Sequence, residues 1–233
     1  MLAQRLSLSL PTIKPSGEWS PDDEATLEAW YQNRTGLSLT GGLSPLVTDW
    51  ADSSPNGHDM TQGTATERPE YTSIGGILTF DQAKTQNLQT ASQISLTGDF
   101  TIGIRINPST PIADAGSFVA DNTTVKELFK YQSNSRITVK IDLSGATNLD
   151  LDSGTFGDDY IVITRVSDVL TLWRNGTAQT GTTPTLEGTA DIDAIGIRAT
   201  NADAFDGTIQ EIQIYSSSSA ALTSHINDRL STL

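Results

Sequence analysis

The stretch "DFTIGIRINP" does most to set the fold class. Phe100, Ile102, Ile104 and Ile106 take every second position, Thr101, Gly103 and Arg105 stand between them, and Pro108 stops the run. A period of two puts those aliphatics on one face of a β-strand. "SRITVKIDL" repeats the pattern with Ile137, Val139 and Ile141 inward and Arg136, Thr138 and Lys140 outward, and "GILTF" (Gly76 to Phe80) alternates again. "YIVITRV" is a denser apolar run, as expected of a central strand covered on both faces. Turn signals recur about every 8–12 residues, the spacing of sandwiches and jelly rolls.

Local chemistry adds detail. In "VLTLWRNGTAQT", Asn175-Gly176 predicts a type I′ hairpin, in which both central residues need positive φ. In "GTIQEIQIYS", Ile212 and Ile214 are in phase but Ile209 is not, which predicts a β-bulge near Gln210–Glu211. The tail changes period: Leu222, Ile226 and Leu230 form one stripe of a short helix, with serines ahead of it as candidate caps. Such a helix holds only by laying its stripe on the sandwich.

At the other end, "PTIKPSGEWSPDDE" reads as a linker. Ser20-Pro21 followed by Asp22, Asp23 and Glu24 starts at most one or two helical turns, before "TLEAWY" becomes extended. The expected organisation is an N-terminal extension over residues 1–23 and one β-sandwich domain over 24–233. In the extension Leu6, Leu8 and Leu10 alternate with Ser7 and Ser9, the pattern of a strand. That strand is either an edge of the same domain or an arm that pairs with a neighbouring subunit.

The chain has 14 basic against 28 acidic residues, a formal charge of −14. Such a surface repels phosphate backbones, so no nucleic-acid partner is expected. The absence of cysteine excludes disulfides, thiolate metal sites and cysteine nucleophiles. No apolar run approaches the ~18 residues of a membrane span, and the first residues lack the apolar centre of a signal peptide. Neither a membrane nor an export leader is expected.

Candidate chemistry is sparse. There is no G-x-S-x-G, and the two histidines, His58 in a turn and His225 on the expected helix, carry no local sign of a triad. Acid pairs on one strand face, Asp150/Asp152, Asp158/Asp159 and Asp191/Asp193, are the geometry a glycosidase would need. Their flanking Leu149, Leu151, Ile192 and Ile195 read as core, which puts the acids on the solvent side or at strand ends. "WADSSPNGHDMTQ" offers Asp52, Asn56 and Asp59 as oxygen ligands for a possible Ca²⁺, without EF-hand spacing. Turn chemistry accounts for the same residues. "DAFDG" (Asp203 to Gly207) offers two more carboxylates with the same alternative. Trp30, Tyr71 and Trp173 are candidates to stack on sugar rings; such residues equally fill a sandwich core. The Trp50 stretch reads as a turn with its tryptophan buried.

Taken in order, "LEAWYQNRTG", "VTDWADSSPNGHDMTQ", "RPEYTS…GGILTFD", "LTGDFTIGIRINP", "DDYIVITRVSDVLTLWRNGTAQ" and "FDGTIQEIQIYSSSSAALTSHINDRL" resemble the laminin-G-like/concanavalin A-like lectin-glucanase superfamily, in the versions found in virion proteins of tailed, including marine, bacteriophages. The resemblance spans residues 25–233. It implies an all-β fold: a two-sheet antiparallel jelly-roll sandwich of concanavalin A-like type, closed by a short C-terminal helix. The glucanase members carry a Glu-x-Asp-x-x-Glu run, which this sequence lacks, so only the scaffold carries over. The resemblance implies a non-enzymatic virion protein (capsid decoration, head fibre or tail-associated subunit) assembled in the host cytoplasm, without a required cofactor. Its partners would be other virion proteins or copies of itself, bound through the arm. The alternative is a carbohydrate-binding module for host surface glycan, and a glycan-cleaving enzyme is the third reading.

Overall fold

The computed structural model describes residues 18–112, 114–123, 126–141 and 145–233. Leu6, Leu8 and Leu10, and with them the choice between edge strand and docking arm, lie outside the described residues. In chain order the first strands are β1 (Leu27–Tyr31), β2 (Leu37–Leu39), β3 (Val47–Trp50), β4 (Met60–Thr61), β5 (Glu70–Thr72), β6 (Ile77–Phe80), β7 (Leu88–Leu96) and β8 (Phe100–Pro108). There follow β9 (Gly116–Asp121), β10 (Lys126–Ser133), β11 (Arg136–Val139), β12 (Thr147–Asp150), β13 (Asp159–Val166), β14 (Val169–Arg174), β15 (Thr177–Gln179), β16 (Ala190–Ile195), β17 (Gly207–Tyr215) and the helix α1 (Ala220–Leu230).

The strands form two antiparallel sheets. Sheet A runs β15-β14-β13-β8-β17-β6-β5, with β1 also paired to β17; sheet B runs β12-β11-β10-β9-β16-β7-β4-β3-β2. The expected all-β, two-sheet sandwich with a short C-terminal helix is the observed fold. Between the sheets lies one apolar core, in which Ile102, Ile104 and Ile106 of β8 meet Val119, Phe129, Ile137 and Val139 of sheet B. Alternation alone dictates this: every second side chain of β8 and β11 has nowhere else to go.

The local predictions hold. Asn175 (φ 49) and Gly176 (φ 77) make the hairpin between β14 and β15. β17 slips register between Ile209 and Glu211 against β8. Before the bulge Ile209 faces the core; after it Ile212 and Ile214 do. Glu211, Gln213 and Tyr215 are thereby turned to the outer face of sheet A. There they meet α1, whose Leu222, Ile226 and Leu230 pack with Leu27, Trp30, Val162 and Tyr215. The Ser219 hydroxyl caps the helix by accepting from the Leu222 N–H at 3.1 Å. Trp19, within the stretch assigned to the extension, packs partly buried against the same cluster.

Two features seat the helix. Gly103 leaves room: a Cβ there would collide with Ile226 and press on Leu230. Glu211 is fully buried and accepts from Trp30 Nε1 (3.1 Å), the Asn33 N–H (3.1 Å), Gln213 Nε2 (2.8 Å) and Arg229 Nη2 (2.9 Å). The Arg229 guanidinium also lies over the Trp30 ring, 4.8 Å from its centroid. Removing one member of a buried pair leaves an uncompensated charge. Arg229→Met should therefore cost about 3 kcal/mol in urea unfolding, and adding Glu211→Gln should restore most of it. Gly103→Ala should cost about 1–3 kcal/mol through overpacking; an unchanged unfolding midpoint in either single variant would contradict this seating of the helix.

Candidate functional site

The Trp50–Gln62 stretch is a stapled turn. Trp50 is fully buried. Asp52 Oδ1 accepts from the Trp30 and Ser54 N–H groups, each at 2.8 Å, and Oδ2 from the His58 N–H at 3.0 Å. Asp59 Oδ1 accepts from the Asp52 N–H (2.8 Å), and Asn56 Nδ2 donates to the Leu27 and Glu28 carbonyls (2.9 and 3.0 Å). Of the three side chains proposed as cation ligands, Asp52 and Asn56 thus join this turn to β1, and Asp59 closes the turn on itself. Among the described residues no group of three acidic or histidine side chains is placed to hold a metal.

The three candidate aromatics are divided between the two faces of sheet A. Trp30 is 6% exposed beneath α1, and Trp173 is half-buried against the same cluster. Tyr71 packs from β5 against the inter-sheet core. They do not share a platform, because the helix covers the face that strand alternation leaves open.

The six acids flagged as possible pairs hold structure. Arg136 Nε reaches Asp150 Oδ1 at 2.6 Å, and Arg105 reaches Asp158 at 2.9 Å. Asp152 accepts from the Thr180 and Gly181 N–H groups, which hold its carboxyl below the usual carboxylate range. The Ser95 hydroxyl donates to Asp191 at 2.7 Å. Asp159 lies at a strand end, as expected, though buried at 2% exposure; Asp193, within β16 and 5% exposed, departs from the expected solvent side. Asp159 opens β13 under Arg174 (2.9 Å) and Asn175 (2.7 Å). Asp193 sits where β16 slips register against β7, and burial pushes its carboxyl up.

An open concavity lies elsewhere, at the end of sheet A where β6 and β8 finish and β17 begins. Two adjoining depressions of about 380 and 620 Å³ share Glu70, Lys84 and Gln86. The floor of the 380 Å³ depression follows from register: Glu70 pairs with Thr79, Thr79 with Thr208, and Thr208 with Asn107. These residues alternate with the inward Tyr71, Leu78, Phe80, Ile106 and Ile209, so all four stand on the outer face. One wall is the turn from Asp81 to Gln86. There Gln86, 2% exposed, accepts the Asp81 N–H at 2.8 Å, and the Lys84 ammonium lies 3.1 Å from Asp81 and 3.4 Å from Glu70. Those two carboxylates, Asp81 first, raise the Lys84 pKa. The other wall carries Ser109 and Asp206.

Asp206 is delivered by the loop after β16. Asp203 anchors that loop: it takes Arg198 Nε at 2.7 Å and Lys130 Nζ at 3.2 Å, and Ala204 bridges to Ser117. Of the "DAFDG" acids, one is thus structural and one faces the groove. Nothing local in the sequence marks the floor, since Glu70, Asn107 and Thr208 are far apart along the chain and meet only through strand pairing.

No protein-family model matches the chain, and no curated protein matches it. Among solved structures it is similar to a mutant of Trypanosoma rangeli sialidase displaying trans-sialidase activity (14% identity, 87% of this chain, 32% of that chain, TM-score 0.52). It is also similar to Trypanosoma rangeli sialidase in complex with 2,3-difluorosialic acid (13% identity, 89% and 33%, TM-score 0.51). The botulinum neurotoxin serotype C1 binding domain is a further likeness (13% identity, 91% and 53%, TM-score 0.47). The chain spans about a third of the length of the sialidases. At these identities the likeness is one of fold. The class it defines is the antiparallel two-sheet β-sandwich.

Burial works against the Asp203 carboxylate, but Arg198 and Lys130 overcome it and hold its pKa below the usual carboxylate value. A depressed acid contributes stability above its unfolded pKa and loses it as pH falls through the folded one. Asp203→Asn should cost about 1–2 kcal/mol at neutral pH. The gap from the parent protein should narrow as pH falls below the usual carboxylate range, as followed by urea unfolding across pH; a gap independent of pH would refute the assignment.

Proposed function

We propose that the protein is a non-enzymatic module of a bacteriophage virion, a capsid decoration, head fibre or tail-associated subunit, that displays its sandwich outward and docks through the residues before Glu18. The observation that carries the non-enzymatic reading is the use of the acids. Each of the six that strand spacing offers as an acid–base pair is taken up in a hydrogen bond or ion pair that ties one segment to another. A general acid or base needs instead a group poised beside a bound substrate. The ordered motifs from "LEAWYQNRTG" to the closing helix support the virion context, and the alternating Leu6, Leu8 and Leu10 support docking by pairing with another virion protein or another copy of the chain.

A second reading is favoured by the groove on sheet A: the displayed surface binds glycan. The two are compatible, since a displayed module is where a receptor contact belongs.

Removal of residues 1–17 should leave the unfolding midpoint unchanged and abolish retention in gradient-purified particles; equal retention of the shortened chain would count against the docking role. The intact protein should release no reducing sugar from a panel of soluble polysaccharides, and release that disappears in an Asp159→Asn variant would overturn the non-enzymatic reading.

A further inference from the structure

The groove on sheet A carries unused hydrogen-bonding capacity. Asn107, Thr208, Thr79 and Glu70 occupy one row across four neighbouring strands. Strands lie 4.7–4.9 Å apart, so the row is a straight line about 14 Å long. The side chains of Asn107, Thr208 and Thr79 are half-buried and make no hydrogen bond among the described residues. Gln86 is 2% exposed, and its Oε1 is spent on the Asp81 N–H. Its Nε2 donates to nothing among the described residues, and Gln86 lines both depressions. An amide held by its oxygen, with its NH₂ unspent at the lining of both depressions, is a positioned donor.

The ligand class follows from what these groups recognise. Hydroxyls and carboxamides both donate and accept, so a row of them matches a ligand whose groups also do both. The three carboxylates of Glu70, Asp81 and Asp206 face one ammonium, Lys84, which Glu70 and Asp81 already hold. Anions are therefore repelled. A peptide adding as a strand needs an unpaired sheet edge, whereas β8, β17 and β6 are each paired on both sides here. The aromatic beneath the floor, Phe80, is 1% exposed and presents no stacking face. Binding at one such groove is weak, and repetition on a particle raises it by avidity.

We propose that this groove binds the hydroxyl-bearing edge of a neutral saccharide and discriminates against acidic ones, with Gln86 Nε2 as the donor at the wall and Asn107, Thr208 and Thr79 as the reading row. The inference deepens the glycan reading and rests on it; it is independent of docking through residues 1–17.

The test is ¹⁵N NMR titration of the full chain with maltotriose, cellotriose, chitotriose, lactose and sialyllactose. At least one neutral probe should shift the side-chain amides of Asn107 and Gln86 with millimolar affinity, and sialyllactose should bind at least tenfold more weakly than lactose or not at all. Asn107→Ala with Thr208→Val should weaken the neutral probe at least tenfold while leaving the amide spectrum of the core unchanged. Gln86→Glu keeps the acceptor for Asp81 and removes the donor, and should weaken it likewise. Shifts confined to another surface, an undiminished affinity in the double variant, equal binding of sialyllactose, or no neutral binding up to about 20 mM would overturn the proposal. New reducing-end anomeric signals in one-dimensional ¹H spectra of the same samples would sink the non-enzymatic reading and leave the groove standing, which separates the two failures.

Discussion

A fully buried carboxylate, Glu211, organises the outer face of sheet A. It reaches that face because β17 slips by one residue between Ile209 and Glu211. A side-chain period of two means that such a slip moves every later residue to the opposite face. Ahead of the bulge the outward residue is Thr208, in the groove. Beyond it the outward residues are Glu211, Gln213 and Tyr215, a chain of hydrogen bonds in which Tyr215 donates to Gln213 at 2.7 Å and Gln213 to Glu211 at 2.8 Å. Arg229, Trp30 and Asn33 complete the carboxylate's partners. The single extra residue therefore divides one face of one sheet into a helix-covered half and an open half.

The division explains why the groove lies where it does. Ile226 sits over Gly103, and Val162 beside it belongs to the same cluster. Asn107 is four residues further along β8, about 13 Å at strand rise, beyond the reach of the eleven-residue helix. The central strands are covered at one end and bare at the other. At the bare end the alternating outward positions are short and polar, so they form a recess.

Much of this was legible because it is local. The alternation in β8 and β11, the Asn175-Gly176 hairpin, the bulge before Ile212 and the stripe Leu222, Ile226, Leu230 each rest on residues within a few positions of one another. What was not legible depends on register between distant strands. Glu70, Thr79, Thr208 and Asn107 have no shared pattern until pairing lines them up. Trp30 and Trp173 were candidate sugar contacts because no rule on one strand says that a distant helix will cover them. Asp193 was expected on the solvent side or at a strand end for a similar reason: the Asn122 N–H, which satisfies it, comes from another segment.

The groove is also rigid in the way recognition requires. Its reading row stands on three paired strands, so its spacing is fixed by backbone hydrogen bonds rather than by loops. One wall is closed on itself, with the Gln86 N–H and the Asp81 N–H each bonded across the same turn. The opposite wall turns at Gly207, whose φ of +148 brings it so close to Asn107 and Phe205 that a Cβ would collide. Its approach is held by Asp203 on Lys130 and Arg198. The unsatisfied groups therefore point into space that the fold neither fills nor lets collapse. Three half-buried side chains in a fixed line, with the Gln86 amide on the wall beside them, leave hydrogen-bonding groups that the fold itself does not use. A surface under selection only to stay soluble has no use for that arrangement, whereas one that must present a pattern to a hydroxyl-rich partner does.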